Sequence, residues 1–176
     1  MAQGDLNTTS YLILGMLASR DWSAYEADAL PLLSPGAHGE VSVRWVAALG
    51  RFVLLGMTAP GDPAGRSVWL RVSGMPWGPW SRRLLLFDWV ADGMSFGDAS
   101  RRFIRALAHG DPVGDSVFPA QARSTGGAYA PYFFDARAEA DAVVIRYTLS
   151  TWNPYQIVLM EHRLDPGDLA ALGVAG

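Results

Sequence analysis

Glu40 stands immediately before the alternating run Val41-Ser42-Val43-Arg44-Trp45. In an extended strand, side chains four residues apart point the same way, so a strand here puts the Glu40 carboxyl and the Arg44 guanidinium on one face. A carboxyl at a strand mouth can serve as a general acid or base. The planar fork of an arginine can orient a second carboxylate or a sugar hydroxyl. The plainer assignments are a solvated carboxylate at a strand end and a structural arginine paired with an acid on a neighbouring sheet. Tyr129 and Tyr132 flank Ala130-Pro131 at the start of another run, and Trp152 lies in the turn Thr151-Trp152-Asn153-Pro154. Such rings offer a ligand an apolar face with a polar tip; equally, the tyrosines can pack in a core and Trp152 can cover a sheet edge. Asp135 and Asp141 flank a turn and are expected as turn residues.

Cleaving a glycosidic bond takes two carboxyl groups, about 5–5.5 Å apart for retention and about 6.5–9.5 Å for inversion. The chain holds thirteen Asp but only four Glu, and Glu40 is the single acid at the start of an inner-strand candidate. Other chemistries find less support. His38, His109 and His162 lack ligand-like spacing, so no metal site is expected. No phosphate-binding glycine loop or nucleophile elbow occurs, and no cofactor is expected. The net charge of −3, without a long basic run, argues against a nucleic-acid partner. No apolar stretch reaches the roughly 18 residues of a membrane span.

The elements that would position these groups are strands. VSVRWVAAL (41–49) alternates, with Val41, Val43 and Trp45 on one face, until Gly50 breaks it. RFVLLGM (51–57) is apolar throughout, and a Gly- and Pro-rich loop follows over 58–66. SVWLRV (67–72) directs Val68, Leu70 and Val72 one way; MPWGPW (75–80) is a turn and SRRLLLFDWV (81–90) closes the set. AYAPYFFDA (128–136), DAVVIRYTLS (141–150) and YQIVLMEHRL (155–164) read as three more strands, and SYLILGMLAS (10–19) as a further one. Helical spacing predicts a short helix over 100–108. Asp165 as cap, Pro166 at the first position and Gly173 as stop predict another at the C-terminus.

The fold class is therefore all-β. Strands that stay apolar on both faces suit sheets sandwiched between neighbours, and four strands in about 50 residues is the period of a β-propeller blade; a β-sandwich is the alternative. The expected organisation is a single partial propeller of four-stranded antiparallel blades. Residues 1–33 form the remnant of one blade, 41–90 a complete blade, 128–164 the next, and 165–176 a tail helix. About two to three blades fall short of the four to eight that close a propeller. The chain is thus expected to be a fragment or a degenerate paralogue, or to self-associate through an exposed blade face. The chain contains neither cysteine nor lysine, so disulfides are excluded; the lack of lysine fits codon bias. The opening MAQGDLNTTS has no signal-peptide pattern, which leaves a chain that is not exported or a true N-terminus that lies upstream.

The segments GEVSVRW, LGRFVLL, VSGMPWGPWS, GGAYAPYFF and above all YTLSTWNPYQIVLMEHRL resemble the C-terminal half of a bacterial family catalogued as domain of unknown function 4185. That family is similar to five-bladed propeller glycosidases of the arabinanase type, and some members are endo-D-arabinanases acting on mycobacterial cell-wall arabinan. The resemblance runs from about Trp22 to Leu164. It implies an extracellular or cell-envelope protein with a polysaccharide or oligosaccharide partner. The residues read above from type and position, Glu40 as candidate acid and Arg44, Tyr129, Tyr132 and Trp152 as candidate sugar contacts, are what this chain offers to such a role. The family usually carries glycine where this chain has Ala130, and its early blades, where the catalytic acids are expected, have no counterpart here. An axial calcium follows by analogy, although no ligand set is legible. A glycoside hydrolase-like fragment incomplete for catalysis is the first expectation; a non-catalytic carbohydrate-binding or scaffold propeller is the second.

Overall fold

The computed structural model describes residues 32–33, 36–37, 39–58, 67–88, 91–92, 128–151 and 156–174. The expected strand over 10–19, the helix over 100–108 and the turn holding Trp152 lie outside these residues. The described chain is all-β apart from one short helix, and its strands form two antiparallel sheets. The first sheet is ordered β1 (Ser42–Val46), β2 (Arg51–Met57), β3 (Ser67–Ser73), β4 (Leu84–Asp88). The second is ordered β5 (Ala128–Ala138), β6 (Val143–Thr151), β7 (Gln156–Leu164). Two sequential meanders of this kind are consistent with a partial propeller.

Turn chemistry sets where the strands stop. β1 ends at Val46, earlier than its apolar run, because Ala47–Gly50 form a tight turn. In it Leu49 N–H donates to Val46 O at 3.0 Å and Gly50 N–H to Ala47 O at 3.1 Å. Gly50 completes that turn at φ +58, a left-handed conformation that costs glycine nothing sterically. At the C-terminus, Asp165 and Asp168 cap helix α1 (Pro166–Ala171) reciprocally, with Pro166 in the first turn and Gly173 at φ +70 beyond its end. Here the cap, the proline and the glycine stop all fall where the sequence puts them.

The core lies between the sheets. Register aligns Val53 with Val72, Leu55 with Leu70 and Met57 with Val68. This stripe joins Val143, Ile145, Tyr147 and Leu149 of β6 in one buried cluster, with Phe133 from β5 and Leu164 from β7. Each large apolar side chain buried this way stabilises the fold by about 1.5–3 kcal/mol. The opposite face of the first sheet is covered at its two central strands, while Trp45 and Leu85 on the outer strands are about half exposed. Leu54 and Trp69 are fully buried there, Gly56 faces the Trp69 ring, and the Arg71 guanidinium lies 5.5 Å from the ring centroid. Burial depresses the Arg71 pKa, and neighbouring Arg83 adds to the effect.

One strand and one sheet differ from their pattern. The Val43–Trp45 stripe of β1 is not the inward one: Ser42 and Val46 are buried, while Trp45 is 49% exposed and edge-on to Phe52 at 5.0 Å. The reason is that β1 meets the second sheet through hydrogen bonds to its polar side chains, described below. The second sheet is closed on one face only, although its strand sequences are apolar at successive positions. Beyond the buried Val144, its outer face carries Tyr132, Ile157 and Leu159 in solvent.

Candidate functional site

The inner strands β1 and β5 lie side by side, and two hydrogen bonds join them. Phe133 N–H donates to Ser42 Oγ at 3.1 Å, and Arg44 Nη1 donates to Phe134 O at 3.0 Å. Residue numbers rise together along the two strands, so they run parallel although they belong to different sheets. The Phe134 carbonyl is available because β5 is bulged. Its pairing with β6 passes from Phe133–Tyr147 directly to Asp135–Arg146 and leaves Phe134 as the extra residue. Arg44 is thus a tie between sheets that bonds a backbone carbonyl, where an acid was the expected structural partner.

Glu40 lies at the mouth of this seam, exposed and two residues ahead of Ser42. It makes no hydrogen bond or ion pair with any described residue. Among the described residues no group of three or more His, Asp or Glu is arranged to hold a metal.

A second bulge shapes the tyrosine pair. Tyr129 aligns with Ser150 and Tyr132 with Thr148, which are two residues apart on β6. Between them Ala130 takes φ +51, a conformation rare for any residue but glycine, and Pro131 follows it. The structure does not make the two rings equivalent. Tyr129 is half-buried against the core, whereas Tyr132 is 61% exposed. Trp152 lies outside the described residues.

Asp135 sits inside β5, which continues to Ala138, so it is not the turn residue that its spacing suggests. Its carboxylate takes Arg146 Nη1 at 3.2 Å, and Arg146 Nε donates to Glu161 at 2.8 Å, which makes a row across all three strands. The bond to Glu161 above all raises the Arg146 pKa, so this cation is permanent. Asp141 does lie at the β5–β6 turn, where it takes Arg163 Nη2 at 2.6 Å; Glu139 pairs with both Arg163 and Arg137.

The exposed pair Ile157 and Leu159 escapes a reading that treats β7 as apolar on both faces. A usable signal was present in the parity of the strand. Glu161 and Arg163 share a face with Ile157 and Leu159, and two charges on one side mark that side as the wet one. At the far ends of β1 and β5, Ala48, Ala138, Ala142, Leu169 and Val174 line an open groove of about 730 Å³. It is lined mainly by small apolar groups, and its acids Glu139 and Asp141 are already engaged by arginine.

A family model described as "Domain of unknown function (DUF4185)" matches residues 3–161. The match begins well upstream of Trp22, so the N-terminal segment shares in the likeness. No curated protein matches the chain.

Proposed function

From the premise that this chain belongs to the DUF4185 family, we propose that it is a glycoside hydrolase-like protein of the cell envelope or exterior. It engages arabinan or a related polysaccharide without cleaving it on its own. The observation that carries this reading is the solitary Glu40 at the mouth of the seam that Arg44 ties. Both retaining and inverting hydrolysis require a second carboxyl across the scissile bond. Among the described residues, Asp135 and Glu161 of the second sheet are both held by Arg146. The non-catalytic reading, carbohydrate binding or scaffolding, is the one this arrangement favours.

For binding, the exposed Tyr132 ring offers an apolar face to the C–H side of a sugar. The Arg44 N–H groups not directed at Phe134 can donate to its hydroxyls. The test is direct. The purified chain incubated with arabinan should release no oligosaccharide above a heat-denatured control, yet should be retarded in a native gel cast with arabinan. Sustained release that Glu40→Gln abolishes would refute the non-catalytic assignment, and unretarded migration at all polysaccharide loadings would refute the binding itself.

A further inference from the structure

Three aromatic residues stand in succession in β5: Tyr132, Phe133 and Phe134. Strand neighbours point to opposite faces, so such a run is apolar on both and leaves its register weakly specified. Phe134 has the same side chain as Phe133 and could fill the same place in the core. The structure nevertheless makes one choice. Phe133 is 3% exposed in the shared core, while Tyr132 and Phe134 are 61% and 38% exposed.

Pairing within the sheet gives that choice little support. Between the irregularity that follows Tyr129 and the one that follows Phe133, two pairs hold the register, Tyr132 with Thr148 and Phe133 with Tyr147. Further support comes from outside the sheet. Ser42 Oγ accepts Phe133 N–H at 3.1 Å, and Arg44 Nη1 donates to Phe134 O at 3.0 Å. In a regular strand the N–H of one residue and the C=O of the next point to opposite edges. Both face β1 here because Phe134 is the extra residue of the bulge. A one-residue slip would turn these groups away, so the two bonds select one register among those that the aromatic run permits. Ser42 itself is buried, paired with Leu55 of β2, at a place where an apolar side chain is the usual occupant. The Phe133 amide accounts for its hydroxyl.

We propose that Ser42 is a positioning residue: with Arg44 it fixes the β5 register that presents the Tyr132 ring to solvent as a sugar contact. This rests on the polysaccharide-binding reading above, and the exposure of the ring can be measured without any sugar.

Tetranitromethane, which nitrates accessible tyrosines, supplies that measurement. Tyr147 of the core serves as the slow internal reference, and peptide mass spectrometry locates the label. The full chain is compared with Ser42→Ala, Ser42→Thr and Arg44→Ala, with melting temperature as the folding check and native gels containing arabinan as the binding assay. Ser42→Ala is expected to slow nitration of Tyr132 and to weaken apparent arabinan affinity, each by roughly threefold or more, the shift that loss of one hydrogen bond brings. Ser42→Thr keeps the acceptor and should retain both. Arg44 is exposed, so Arg44→Ala should fold; it should slow nitration in the same direction and keeps the test decisive if Ser42→Ala does not fold. Unchanged nitration of Tyr132 in the folded variants would overturn the positioning role. Equal losses in Ser42→Ala and Ser42→Thr would overturn it too, because Ser42 would then act through packing alone. Slowed nitration in variants of a chain that does not bind arabinan would instead remove the sugar contact and keep the register role.

Discussion

Ala130 is the residue at which local backbone and side-chain type disagree most. Its φ of +51 costs an L-residue about 1–2 kcal/mol, and the following Pro131 disfavours helical conformations before it. The glycine that the resemblance leads one to expect here has a physical reason in this left-handed backbone. Glycine adopts the angle freely but loses about 0.5–1 kcal/mol more chain entropy on folding. Ala130→Gly is therefore expected to stabilise the fold by about 0.5–1 kcal/mol, read as a rise in melting temperature of about 1–4 °C. A fall would mean that the bulge draws its stability from the Ala130 methyl. Nothing in the residue string announces the strain, because AYAPY reads as an ordinary extended run until its register with β6 is known.

At the scale of the element, the first sheet depends on a glycine facing a tryptophan. A Cβ on Gly56 would lie 2.6 Å from Trp69 Cζ2 and 2.7 Å from Cη2, and the ring is fully buried. It has no free space into which to move, so β2 and β3 would have to separate. Gly56→Ala is expected to destabilise by about 1–3 kcal/mol, the usual cost of overpacking. Chemical denaturation should show the midpoint falling with an unchanged slope. Trimming the ring tests the cause. In a double-mutant cycle with Trp69→Phe, the two losses should sum to more than the double variant shows. Strict additivity would mean that the contact is not the source. The sequence exposes half of this relation: RFVLLGM and SVWLRV are legible as adjacent strands, and only the pairing of Gly56 with Trp69 explains why one needs the gap.

At the scale of the whole molecule, Tyr147 reports on the packing between sheets. It is buried in the shared core, and burial raises its pKa well above the ordinary value near 10, with Asp92 adding repulsion to the phenolate. In the folded chain the phenol stays neutral, whereas in the unfolded chain it ionises at its usual pKa. The stability it contributes is therefore complete below pH 10 and falls as the pH rises above 10 towards the folded value. Fluorescence-monitored unfolding between pH 9 and 12 should show loss of structure that Tyr147→Phe moves to higher pH. An unmoved alkaline transition would place its origin in other groups.

The string of residues by itself determined the elements. Alternation, apolar runs and turn glycines mark seven strands near their observed limits, and Asp165, Pro166 and Gly173 mark the last helix. These signals are local, carried by residues within a few positions of one another. Which faces are covered was decided by tertiary structure, because exposure depends on what lies across the sheet. The same apolar character is buried in Leu54 and open in Leu159. The candidate site divides in the same way. Glu40, Arg44 and Tyr132 could be singled out by type and position. That Arg44 bonds Phe134, and that Asp135 and Glu161 share Arg146, follows from contacts between residues 11 to 90 positions apart. Bulges set those contacts by shifting pairing by one residue. A one-residue shift reverses the face of every side chain beyond it, and no periodicity in the sequence records where it occurs.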